Sequence, residues 1–131
     1  MTFKLTYSTM FDPPEEMHAR FEAALAEVRA ALGATHAMHV GGRDVGAAHA
    51  YEKRSPVDRR LLLGRFPLGE PGDVDRAVAA AKAAFEAWRA TPPAERVRLA
   101  RRVSELLEER VYTIGAALAL EVGKNRMEAL G

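Results

Sequence analysis

The sequence predicts an α-rich α/β fold: an N-terminal helix, a small antiparallel β-meander, and then packed helices. Three observations carry this. Apolar residues recur at helical spacing over residues 12–33, short β-prone runs broken by turn residues fill 34–70, and alanine-rich helical periodicity returns from 71 to 131.

The first helix opens at Asp12-Pro13-Pro14-Glu15, where Asp12 suits a cap, Pro13 the first helical position and Glu15 a capping box. Met17, Phe21, Leu25, Val28 and Leu32 then fall on one face, with Arg20, Glu22, Glu27 and Arg29 elsewhere. Gly33 supplies a stop, being free to turn left-handed. The meander follows. Ala37 to Val40, the turn Gly41-Gly42 and Arg43 to Val45 read as a hairpin. Tyr51 to Arg54 reads as a strand ended by Ser55-Pro56, and Leu61 to Phe66 as another, punctuated by Pro67 and Gly69.

Gly72-Asp73 is expected to cap an alanine-padded helix with Val74, Val78, Ala81, Phe85 and Trp88 on one stripe. Thr91 is expected to cap the next, whose face carries Val97, Ala100, Val103, Leu107 and Val111. On that helix Arg101 and Glu105 make an attractive four-residue pair, and Glu105 and Glu109 a repulsive one. Residues 112–122 are apolar almost all round, a buried helix stopped by Gly123. Met127 to Leu130 starts one more helix without a polar closure, so the chain reads as a single segment, 1–131, of an incomplete domain.

Composition excludes several functions. With Cys 0 in 131 residues, no thiolate nucleophile, zinc ribbon or iron–sulfur cluster resides on this chain. Lys+Arg 19 against Asp+Glu 18, evenly spread, gives no field to attract nucleic acid or anionic lipid. No run approaches the length of a membrane span, and Met1 to Leu5 lacks a signal-peptide pattern, so the expected location is cytoplasmic.

No residue cluster forms a convincing active site. His36 and His39, three apart on a strand, face opposite sides, and His49 stands alone, so none is expected to ligate a metal. Glu105, Glu108 and Glu109 read as a solvated helix face, as do Arg96, Arg98, Arg101 and Arg102, which lack an aromatic platform. Gly41-Gly42, the series Gly64, Gly69 and Gly72, and Gly123-Lys124 all miss the phosphate-loop patterns. Ser8, Ser55 and Ser104 lack a nucleophile-elbow setting. Trp88 is expected in the core rather than under a ligand.

The order of motifs nonetheless resembles a known family. After the leader helix come His39-Val40-Gly41-Gly42-Arg43-Asp44-Val45, Ser55-Pro56, Leu63-Gly64-Arg65 and Gly72-Asp73-Val74-Asp75-Arg76-Ala77-Val78. Ala84-Phe85-Glu86-Ala87-Trp88, Pro93-Ala94-Glu95-Arg96, Leu106-Leu107-Glu108-Glu109-Arg110 and Glu121-Val122-Gly123-Lys124-Asn125-Arg126-Met127-Glu128-Ala129 follow. Over essentially the whole chain this resembles the N-terminal part of the NAD(P)-dependent aldehyde dehydrogenase superfamily. The leader helix and the Gly-Lys-Asn motif are similar to 1-pyrroline-5-carboxylate dehydrogenases, which oxidise L-glutamate γ-semialdehyde to glutamate in proline degradation. Arg126 departs by standing where an aromatic residue is frequent, and Arg43-Asp44 by replacing Glu/Lys-Trp.

The resemblance implies that the cysteine nucleophile, the glutamate base, the oxyanion-binding asparagine and the NAD-holding units all lie beyond the matched region. No catalytic, cofactor-binding or metal-binding residue is therefore carried over onto 1–131. It implies a chain that is inactive alone and binds no NAD alone. Its partners are the remainder of the enzyme and, in the whole protein, further copies, with neither nucleic acid nor membrane. The strands then belong to an oligomerisation region, and the helices of 71–131 to the cofactor-binding domain without its NAD site. A stand-alone helical interaction module is the alternative.

Overall fold

In a computed structural model, residues 12–131 are described, so Met1 to Leu5 and Ser8 lie outside the described residues. Helix α1 spans Glu15–Ala30. Pro14, not Asp12, stands at its N-cap, without a side-chain hydrogen bond to the first turn. Two acidic residues there, Glu15 and Glu16, favour the helix start electrostatically instead. The helix also stops three residues before Gly33. Ala31 and Leu32 donate to Val28 and Arg29 carbonyls in a tightened last turn. Gly33 is left-handed (φ 85°), as its freedom allows, and its N–H donates to the Leu63 carbonyl at 3.2 Å. That turn directs the chain toward the strands rather than ending the helix.

The meander resolves into two separate two-stranded antiparallel ribbons. Strands β1 (Met38–Val40) and β2 (Arg43–Val45) pair through Gly41 and Gly42, at φ 60° and 77°, the left-handed pair that a two-residue hairpin turn requires. Strands β3 (His49–Arg54) and β4 (Leu62–Leu68) pair with Tyr51 opposite Phe66 and Glu52 opposite Arg65. Pro67 sits inside β4, opposite Ala50, instead of ending it. At residue 67 only β3, among the described residues, flanks β4, an edge position where proline is tolerated.

Residues 34–36 run along the other side of β4. Arg65 donates to the Ala34 carbonyl and His36 to the Arg65 carbonyl, both at 2.9 Å. This is why position 64 is glycine. A Cβ there would lie 2.9 Å from His36 Nε2 and 3.1 Å from the Ala34 carbonyl oxygen. Gly64→Ala is expected to cost about 1–2 kcal/mol, read as a lowered urea midpoint. An unchanged midpoint would show that residues 34–36 do not lie against β4.

Helix α2 spans Pro71–Ala90, and Glu70, not Gly72-Asp73, is its N-cap. Asp73 is the reciprocal member of the capping box, its carboxylate accepting the Glu70 N–H at 2.7 Å. Thr91 closes α2 rather than opening the next helix: its hydroxyl donates to the Ala87 carbonyl at 2.9 Å. Helix α3 (Pro93–Glu109) starts at Pro92. Val111, assigned by periodicity to the α3 stripe, is instead the first residue of α4 (Val111–Val122), because the chain turns at Arg110. Gly123 caps α4 in the left-handed region (φ 75°) as expected. Asn125 opens the short helix α5 (Arg126–Leu130), its Oδ1 accepting the Glu128 N–H at 3.0 Å.

The buried core lies between α1 and α4. Phe21, Ala24 and Ala116 form its centre, flanked by Leu25, Val28, Tyr112, Ala119 and Leu130. Met17, Leu120 and Ala129 are buried beside it. Helices α2 and α3 bury no residue, and Trp88, expected in the core, is 49% exposed. The helical period of the stripe is right, but the surface it would pack against is not among the described residues.

Candidate functional site

Three features stand out: a fastened corner between β3 and α4, an apolar cleft beside it, and an uncovered helical face. The corner rests on Ser55, which is 1% exposed. Its hydroxyl donates to the Leu120 carbonyl at 2.5 Å and accepts the Val57 N–H at 3.2 Å, so one side chain satisfies two backbone groups. Beside it Lys53 Nζ meets Glu121 Oε1 at 2.5 Å, and that hydrogen bond raises the lysine's pKa. On the ribbon, Glu52 accepts from Arg54 at 2.9 Å and Arg65 at 3.0 Å. Those guanidinium groups hold its carboxyl below the usual range, Arg54 contributing most. Asp58 is held at about 2 by its side-chain and backbone bonds with Arg60.

The cleft, about 420 Å³, has an apolar floor including Val28, Leu32, Leu63 and Leu120, with Glu27 and Glu121 among its lining. His36 stacks on Phe66 there, ring centroids 4.6 Å apart and nearly parallel. These side chains give packing, with Glu121 held by Lys53 and no nucleophile and base in contact among them.

The residues weighed in the sequence stay dispersed. His36 lies outside β1, His39 pairs across the hairpin with Asp44 at 3.1 Å, and His49 begins β3. Among the described residues no three His, Cys, Asp or Glu side chains gather as metal ligands would. On α3, Arg102 rather than Arg101 makes the bridge, reaching both Glu105 and Glu109 at 3.1 Å and so relieving their repulsion. Arg98 pairs with Glu95 at 2.5 Å, lowering that carboxyl's pKa. Glu108, Arg101, Ser104 and Lys124 are exposed, and Arg96 is half-buried.

Gly69 lies in the connection from β4 to α2 and Gly72 in the first turn of α2, the strand-to-helix setting that phosphate-binding loops use. The start of α2 is already occupied by carboxylates, however. Asp73 bonds the Glu70 N–H and the Arg76 guanidinium, and Glu70 adds a second negative charge. A pyrophosphate does not fit at this helix start.

Helices α2 and α3 each carry an uncovered apolar stripe. Val74, Val78, Phe85 (57% exposed) and Trp88 line α2, and Val97, Val103 and Leu107 line α3. Sequence periodicity found this stripe, whereas the two-sided role of Ser55 left no sequence signal beyond a turn. No helix among the described residues is long and apolar enough to cross a membrane.

Comparison with known proteins bears on what covers that face. The model of the aldehyde dehydrogenase family matches residues 44–131, about two-thirds of the chain. A 1-pyrroline-5-carboxylate dehydrogenase of Staphylococcus haemolyticus is 27% identical over 117 residues, 89% of this chain and 23% of its own length. A malonate-semialdehyde dehydrogenase of Geobacillus thermodenitrificans is 40% identical over 94 residues, 71% of this chain and 19% of its own. In structure, the 1-pyrroline-5-carboxylate dehydrogenase from Thermus with bound NAD superposes at TM-score 0.89 and 25% identity, over 99% of this chain and 24% of that one. The chain thus spans about a quarter of the length of the relatives it matches.

Proposed function

Because the chain belongs to the aldehyde dehydrogenase family, we propose that it is the N-terminal, non-catalytic portion of an NAD-dependent aldehyde dehydrogenase. The whole enzyme, on this reading, oxidises L-glutamate γ-semialdehyde to glutamate in proline degradation. The breadth of the resemblance carries this. Similarity to 1-pyrroline-5-carboxylate dehydrogenase includes the leader helix and extends over 89% of the chain. The relative acting on malonate semialdehyde matches a shorter stretch, but at 40% identity, which favours a second reading with that smaller aldehyde as substrate.

The described residues supply scaffold. The core of α1 and α4 holds the β3–β4 ribbon through Ser55 and Lys53, and α2 and α3 each present an apolar stripe. Exposed apolar stripes of this kind mark surfaces made to be covered. The remainder of a longer chain is the partner we infer for that face, and association with further copies follows for the whole enzyme. NAD supplies hydride acceptance in such an enzyme, and the residues of this chain do not hold it.

The test has two arms. Purified chain with NAD and glutamate semialdehyde is expected to give no NADH. A chimera carrying residues 12–131 in place of the matching quarter of a 1-pyrroline-5-carboxylate dehydrogenase is expected to keep NAD-linked oxidation of that aldehyde. Turnover by the chain alone would overturn the scaffold reading. A folded chimera without that oxidation would overturn the reading that residues 12–131 are the scaffold of such an enzyme.

A further inference from the structure

The apolar positions of α2 form a seam as well as a stripe. Val74, Val78, Ala81, Phe85 and Trp88 stand alternately four and three residues apart, the spacing of the a and d positions of a coiled coil. Every other residue of α2 after Gly72 is alanine or charged. Such a seam is narrower than the face of a helix packed in a mixed core, and a second helix fills it. It is also open. The four large members are exposed, and α2 buries no residue. The β1–β2 hairpin approaches from elsewhere, at Ala80, which a Cβ on Gly41 would meet at 3.5 Å. Ala80 lies about 120° round the helix from the middle of the seam.

Pairing this seam with a copy of itself has a preferred direction. A parallel pair sets each residue against its own copy, ring on ring at Phe85 and Trp88 and a gap at Ala81. An antiparallel pair centred on Ala83 sets Trp88 against Val78 and Phe85 against Ala81, so each ring meets a smaller partner. The charges favour the same direction. Asp75, Lys82 and Arg89 follow Val74, Ala81 and Trp88 by one residue, along one edge of the seam. In a parallel pair that edge faces Ala77 and Ala84, and no opposite charges meet. In an antiparallel pair it faces itself, so Asp75 of each copy approaches Arg89 of the other, twice by symmetry. Arg89 already meets Glu86 on its own helix, an exposed pair that its guanidinium can share. Lys82 approaches its own copy, a repulsion that Glu86, four residues on, eases.

We propose that α2 is a self-recognition helix, through which two copies of this chain pair antiparallel in a symmetric dimer. This rests on the residues of α2 and not on the activity inferred for the whole enzyme. A copy and the remainder of a longer chain compete for the same stripe, and for the 131-residue chain the copy takes it. The seam is shorter than three heptads, so the pair is reversible and depends on concentration.

Trp88 is the single tryptophan and lies on the seam, so its emission reports pairing. Sedimentation equilibrium and fluorescence of the 131-residue chain are compared over about a hundredfold range of concentration. Twice the chain mass and a blue-shifted emission are expected at the upper end. Phe85→Glu is expected to weaken association at least about tenfold with helix content unchanged. Should that variant fail to fold, Ala81→Glu, on the same seam, is expected to show the same loss. Direction is read from Lys82→Cys with a short bismaleimide, since the chain has Cys 0 and offers no other thiol. An antiparallel pair gives a covalent dimer. A monomer at every concentration would overturn the proposal and leave the stripe to the rest of a longer chain. A dimer that survives both glutamate substitutions would overturn it by placing the contact elsewhere, and a dimer that does not cross-link would overturn the antiparallel arrangement.

Discussion

Phe21→Ala is expected to be the most damaging single truncation, costing about 3–5 kcal/mol. The ring is 3% exposed and sits at the centre of the only cluster that α1 and α4 bury together, among the described residues. Small neighbours, Ala24 and Ala116, have no longer side chain to move into the space left. The guanidinium of Arg126, 4.8 Å from the ring centroid, loses the ring beneath it as well. Urea unfolding followed by circular dichroism measures the loss. A midpoint within experimental error of the unaltered chain would show that α1 does not pack on α4.

Ser55→Ala is expected to follow, costing about 1–3 kcal/mol. The change removes little volume but strands the buried Leu120 carbonyl near the end of α4 and takes the acceptor from the part-buried Val57 N–H. Lys53→Ala beside it should cost less, since that ion pair is open to solvent. The ordering of the two, read from the same denaturation curves, separates a buried hydrogen-bond junction from a surface one. A larger loss from Lys53→Ala would mean that charge, not Ser55, fastens β3 to α4.

Much of this was legible in the sequence wherever a local rule decides the outcome. Gly41-Gly42 specifies its turn because two consecutive left-handed residues leave few alternatives, and Gly123 ends its helix for the same reason. The apolar run of 112–122 announced a helix, but burial all round was not met: α4 buries Gly115, Ala116 and Leu120 and leaves Ile114 and Val122 exposed. Caps were harder. Asp73 and Thr91 are good capping residues, yet Asp73 serves α2 from within its first turn, three residues after the true N-cap, and Thr91 closes α2 rather than opening α3. Trp88 shows the opposite limit. Its place on a stripe was clear, but burial depends on a second surface that periodicity does not describe. The contacts of Arg126 with His18 and Glu22 were also invisible, because they join residues more than a hundred positions apart.

The core itself has a consequence for the order of events in folding. About 95 residues of chain separate Phe21 from Ala116, so joining them closes a long loop before either is buried. The ribbon hairpins and single helices between them need no such closure. During synthesis α1 emerges first and remains unpartnered until α4 follows it, some seconds later at ordinary elongation rates of about 5–20 residues per second. In that interval its apolar face is a natural client surface for chaperones. Variants that weaken the α1–α4 contact should accordingly show their effect first in the yield of soluble chain.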